Sequence, residues 1–239
     1  MLRLLLASVM LVSTATFALD LELTEGVNKA FPMGIDGFGN TQVANDLTAV
    51  IDSDLRLSGQ FKLIPAPRVA DGKAPIALWK QVGVDSVLSG QVTAIDGGRY
   101  KVHVDLLDVA ARGRSLILRD YEVSARELPA LAHHISDEVY QALTGVKGIF
   151  STRIAYVFVK TERNRRIYTL EVADMDGKNP HALVTSTAPI MSPSWSPDGR
   201  QIAYVSFEKK RAQVFTISVE TAKRRLITEF KRINGAPAW

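Results

Sequence analysis

Apolar residues recur at helical spacing in two stretches of the first 150 positions and at strand spacing almost everywhere else. Val43, Leu47, Val50, Ile51 and Leu55 form one stripe, opened by Asn40 or Thr41 and stopped by Gly59, and predict a first long helix. Leu128, Leu131, Ile135, Val139 and Leu143 form a second stripe that Gly145 ends. Ser124-Ala125-Arg126-Glu127 stands before it as a capping box, in which hydroxyl and carboxylate satisfy orphan amides. Between the helices a strand is expected at 61–64, closed by Pro65 and Pro67, then a short helix over 76–82. Three strands in a meander follow at 86–95, 100–109 and 116–123, the first two joined by the turn residues Asp96-Gly97-Gly98. Tyr100, Val102, Val104 and Leu106 share one face of the middle strand, while Lys101, His103 and Asp105 face away. Residues 19–150 therefore read as an α/β amino-terminal domain, a mixed sheet with two main helices.

From Ser151 onward the helical period disappears and the chain repeats itself. Ile154-Ala155-Tyr156-Val157 returns as Ile202-Ala203-Tyr204-Val205, 48 residues on, and Ile167-Tyr168-Thr169-Leu170 as Val214-Phe215-Thr216-Ile217, 47 on. Leu183-Val184-Thr185 matches Leu226-Ile227-Thr228 at 43, and Pro193-Ser194-Trp195 matches Pro237-Ala238-Trp239 at 44. The drift is assigned to the Asp174-Met175-Asp176-Gly177 hairpin, longer than its counterpart near Thr221. Short strands at this period are the pattern of β-propeller blades. In Ser192-Pro193-Ser194-Trp195-Ser196-Pro197-Asp198-Gly199, Pro197 presets a turn dihedral, Asp198 bonds its own backbone and Gly199 accepts positive φ. Trp195 is expected as a wedge between neighbouring blades. Residues 151–239 thus read as an incomplete all-β propeller of about two blades, with apolar surface around Val205, Phe207 and Phe215 left uncovered and more chain needed to complete it.

The opening residues change the picture of where this chain works. Arg3, a short apolar run from Leu4 to Val12 and the small residues before Ala18 form a secretory signal peptide over 1–18, too short to span a bilayer. A mature start at Leu19 and an exported protein without a membrane span are expected. The formal net charge of +4 becomes +3 once Arg3 is gone, since 1–18 carry no acid. That small, interleaved excess argues against nucleic acid as a partner. The chain has no cysteine, which excludes disulfides and thiolate chemistry.

The phrase from Ser192 to Gly199, followed by Gln201-Ile202-Ala203-Tyr204-Val205-Ser206, resembles the propeller repeat of the TolB family, the periplasmic component of the Tol–Pal system. The front half is similar too, in Leu19-Asp20-Leu21-Glu22-Leu23-Thr24-Glu25-Gly26-Val27, in Phe31-Pro32-Met33-Gly34-Ile35 and in the run from Gly83 to Gly90. The resemblance implies a non-enzymatic linker with no cofactor. Its amino-terminal domain receives the inner-membrane protein TolA through the mature amino-terminal strand. Its six-bladed propeller binds the outer-membrane lipoprotein Pal, and colicins exploit the same propeller. It also implies support of outer-membrane integrity and of invagination during division, with the Pal contacts mostly on later blades. The candidate partner-binding residues are Leu19, Asp20, Leu21, Glu22, Leu23 and Thr24. Their alternation of apolar and polar side chains suits a strand that adds to another protein's sheet edge.

Other chemistry is thin. His133 and His134 are adjacent on a helix and point about 100° apart, so they read as solvated or half-buried helix residues rather than a metal pair. The Asp174-x-Asp176-Gly177-x-Asn179 segment lacks the Gly and Glu positions of an EF-hand loop and reads as a polar hairpin. No G-x-S-x-G string occurs. An exported prolyl-oligopeptidase-like peptidase, with its catalytic domain beyond residue 239, is the alternative reading. A sugar- or metabolite-binding propeller is a third. The loops 160–166 and 208–211 are basic and fall at equivalent places in the repeat, forming either a rim for an acidic protein or ordinary solvated turns.

Overall fold

The computed structural model describes residues 30–69, 72–228, 235 and 237–239. The expected signal peptide and the strand from Leu19 to Thr24 lie outside the described residues.

The first helix, α1 (Gln42–Leu57), begins where Thr41 Oγ1 accepts from Ala44 N at 3.2 Å, satisfying an orphan amide of the first turn. Its buried face carries Ala44, Leu47, Ile51 and Leu55, with one charged residue, Asp54, among them. A five-stranded sheet backs it, in the order β2 (Phe61–Ile64), β1 (Phe31–Gly37), β3 (Ser86–Ile95), β4 (Arg99–Asp108), β5 (Arg114–Ser124). The meander β3-β4-β5 is antiparallel as its alternation predicts. The opening segment, legible only as extended, is the inner strand β1, paired parallel to β2 on one side and β3 on the other. The second long helix, α3 (Leu128–Thr144), packs beside α1 and ends at Gly145 with φ 75°. Val102, Val104 and Leu106 of β4 face the two helices, and the core between them is closed by Leu131, Ile135 and Val139.

The capping box takes a different form from the expected one. Glu127 Oε2 accepts from both Ser124 N and Ser124 Oγ at 2.8 Å, so the hydroxyl donates to the carboxylate instead of capping the helix amide. On the opposite face of the sheet, the short helix α2 (Ile76–Gln81) seats Trp79 against Val84, Val87 and Val109. Gly34 of β1 permits this seat, because a Cβ there would overlap the indole ring.

Two open antiparallel sheets follow, and neither closes on itself among the described residues. The first has three strands, β6 (Arg153–Glu162), β7 (Arg165–Asp174) and β8 (His181–Ser186). The second has four, β9 (Ile190–Trp195), β10 (Gln201–Ser206), β11 (Gln213–Ser218) and β12 (Arg224–Leu226), in the order β12-β11-β10-β9. The sequence repeat maps β6 on β10, β7 on β11 and β8 on β12. The extra residues of the first unit lie partly in β7, which runs on to Asp174 whereas β11 stops at Ser218. Leu170, Val172, Ile202, Tyr204 and Ile217 form one core across both sheets, with Trp195 packed at its edge. Arg153 of β6 lies 5.4 Å over the Trp195 ring, so this side chain does sit between the units. Val205 is buried with Val214 and Ala212, and Phe207 packs on them, contrary to the exposed surface expected there. The exposed large apolar side chains of this half are instead Ile154, Phe158, Val159, Met191, Ile227 and Trp239.

Candidate functional site

The best-organised polar group lies where α3 meets the first propeller sheet. The β7–β8 hairpin carries Asp174, Met175 and Asp176, and Met175 packs against the hydrophobic core of the amino-terminal domain. Gly177, at φ 80°, turns the hairpin, and its amide donates to Asp174 O at 2.9 Å. Asn179 Nδ2 donates to Asp174 Oδ2 at 2.7 Å, and Lys178 N donates to Asp176 Oδ1 at 2.9 Å. Lys178 Nζ forms an ion pair with Asp176 Oδ2 at 2.8 Å. The hairpin is thus the expected turn, but it is not the solvated one expected: the Asp176 side chain is 3% exposed.

Opposite it stands His133, 4% exposed. Its Nδ1 lies 2.8 Å from Oδ2 of the fully buried Asp54, a residue 79 positions earlier on α1. One ligand-type atom from each of His133, Asp174 and Asp176 falls within 4.8 Å of the others. His133 is therefore more deeply buried than the solvated or half-buried position expected for it, and of the adjacent pair only His134 is exposed, at 52%. A helix face is not visible in the neighbour of a histidine; the signal available was the buried Asp54 in the apolar stripe of α1, which needs a partner. The hydrogen bond that His133 donates to Asp54 raises the pKa of His133; burial opposes it, and the charges of Asp54, Asp176 and Asp174 add to the rise. Burial pushes Asp176 up, but the hydrogen bonds and charge of Lys178, with a smaller contribution from His133, outweigh it and hold the carboxyl below its ordinary value. The imidazole, the carboxylates and the Lys178 ammonium thus form one network of charged and polar groups at the junction.

The two basic loops occupy equivalent turns, β6–β7 and β10–β11, as the repeat implies. Part of the first loop's charge is neutralised locally, whereas in the second the loop's own acid is engaged by an arginine from β12. Lys160 pairs with Glu162 at 2.6 Å, and Glu208 is held by both guanidinium nitrogens of Arg224, which lies 4.7 Å over the Phe215 ring. The Ser196–Gly199 turn is built as expected. Ser196 Oγ lies 2.6 Å from Asp198 Oδ1 and accepts from Gln201 N at 2.9 Å, and Gly199 has φ 67°. Among the described residues no helix is long and apolar enough to cross a membrane.

A mixed α/β domain whose last helix hands the chain to tandem antiparallel sheets defines a class, that of an amino-terminal domain carrying propeller blades. Comparisons with known proteins narrow it. Residues 19–115 match the model of the TolB amino-terminal domain, and residues 140–239 match that of the TolB β-propeller domain. The chain is 51% identical over 98% of its length to the Tol-Pal system protein TolB of Legionella pneumophila strain Philadelphia 1. It is 41% identical over 98% of its length to the protein of the same name from Coxiella burnetii. It covers 56% of each of these two relatives, so it spans little more than half their length. Its structure superposes on 52% of the crystallised TolB from Acinetobacter baumannii with a TM-score of 0.76 and 36% identity, over 87% of this chain. The chain belongs to the TolB family.

Proposed function

We propose that this chain serves the Tol–Pal system as a non-enzymatic scaffold in the periplasm, joining inner-membrane TolA to outer-membrane Pal and so supporting envelope integrity and invagination during division. The observation that carries this reading is the match of both halves to one family, with relatives named for that system over 98% of the chain. It favours a TolB-type role over the propeller of a peptidase. The proposed division of labour gives residues 19–150 to the TolA side, after removal of 1–18, and residues 151–239 to the propeller that meets Pal.

TolA contact is assigned to Leu19, Asp20, Leu21, Glu22, Leu23 and Thr24. An alternating strand at a chain end can lend its backbone hydrogen bonds to a foreign sheet edge, because only one end is tethered. Deleting 19–24 from the full-length protein should abolish capture of the TolA carboxy-terminal domain while leaving the melting of the amino-terminal domain nearly unchanged. Leu21→Pro, which removes one backbone donor, should weaken capture. Unaltered TolA binding after the deletion excludes the assignment, and unfolding of the domain makes the strand structural.

A further inference from the structure

Several features converge on the junction between the two halves. Met175 anchors the first propeller hairpin in the amino-terminal core, and on either side of it Asp174 and Asp176 approach His133. Separating the halves withdraws the methionine from apolar contact and pulls two carboxylates away from an imidazole that is almost fully buried. A buried imidazole has two very different energies in such a place. Neutral, it offers the hairpin little; protonated, it is a cation in a region of low dielectric with carboxylates on both sides.

We propose that His133 and the Asp174–Asp176 hairpin form a proton-operated fastening between the amino-terminal domain and the first propeller sheet, tight when the imidazole carries a proton and slack when it does not. The charged groups facing His133 are Asp54 from α1 and Asp174 and Asp176 from the hairpin. Lys178 stands behind Asp176 and pairs with it. From the sheet, Tyr121 of β5 is turned to Glu138 and His134, not to His133. On α3 itself, Asp137 is engaged by the amides of Phe150 and Ser151, at 2.6 and 3.0 Å. With a neutral imidazole the group holds three carboxylates against one ammonium. A proton on His133 reduces that imbalance and lets both ring nitrogens donate. The raised pKa agrees in direction. The fastening acts in full below the pKa of an unfolded histidine, about 6.5, and is lost as pH climbs through the higher folded value.

The chain has no cysteine, so spin labels can be placed at will. Labels at Asn45→Cys on the exposed face of α1 and Lys209→Cys in the β10–β11 loop report the relation of the two halves in the full chain. Raising the pH from about 6 to about 9 should increase the share of a second interspin distance, as the imidazole loses its proton. Asp174→Asn/Asp176→Asn should hold that share high at both pH values. The same variant should lower the His133 midpoint, followed by its ring NMR signal. A single distance distribution at both pH values with the hairpin unsubstituted overturns the proposal and needs no hairpin variant to fold. So does a His133 midpoint that moves in Asp54→Asn but not in the hairpin variant, since the proton then serves the amino-terminal domain alone.

Discussion

Replacing Asp54 with asparagine tests how much a single buried charge contributes to the amino-terminal domain. The substitution keeps shape and leaves an amide oxygen to accept from His133 Nδ1, so it removes charge and little else. Asp54 is fully buried, and its Oδ2 lies 2.8 Å from the ring nitrogen. Its other oxygen has no hydrogen-bond partner, so an amide group placed there exchanges one unpaired polar atom for another. The difference therefore reduces to one hydrogen bond, charge-assisted in the parent and neutral in the variant, where the imidazole has lost the buried counter-charge that holds its proton. Bonds to charged groups contribute about 1.5–3 kcal/mol and neutral ones about 0.5–1.5, so Asp54→Asn should cost about 1–2 kcal/mol while His133 is protonated. Because the folded pKa of His133 is raised, that cost is greatest at low pH and declines as pH rises past the folded value. Urea unfolding of the full chain at about pH 6 and about pH 9, on either side of the histidine range, measures it when β3 and β4 are followed by hydrogen exchange. Asp46→Asn, on the exposed side of α1, is the control. An equal loss at both pH values, or a larger one at the higher, refutes the coupling of Asp54 to a charged imidazole.

Two further substitutions probe packing and turn chemistry. Gly34→Ala should destabilise the amino-terminal domain by about 1–3 kcal/mol, the usual range for overpacking, because its Cβ would fall 2.6 and 2.7 Å from Trp79 Cε3 and Cη2. Combining it with Trp79→Phe should give less than the sum of the single losses in chemical denaturation, and strict additivity would remove the indole as the cause. Ser196→Ala leaves Gln201 N without its 2.9 Å acceptor and Asp198 without its 2.6 Å donor at a turn in which Ser196 is the buried residue. A loss of about 1–2 kcal/mol in the propeller sheets is expected, read as faster exchange in β9 and β10, and unchanged exchange would show that the turn holds without the hydroxyl.

The boundaries of α1, the buried stripe and end of α3, the β3-β4-β5 meander and the two-fold repeat of the propeller sheets were legible in the sequence. Each rests on interactions between residues a few positions apart. A 3.6-residue stripe, a two-residue alternation and a glycine at positive φ are local, and local pattern records them. The place of β1 was not legible, because parallel pairing to both β2 and β3 depends on crossovers through α1 and α2 that no strand pattern encodes. The Ser124–Glu127 box was present in the letters, yet its hydroxyl turned to the carboxylate. Val205 looked like a surface waiting for a neighbour and found one in its own blade. His133 shows the limit most clearly. Its partners are Asp54 on another helix and Asp174 and Asp176 on a hairpin of the other half. In sequence the first is an acid misplaced on an apolar stripe and the others an ordinary polar turn. Only the docking of that hairpin against α3 removes the water that would otherwise separate these charges, and low dielectric makes their arrangement matter.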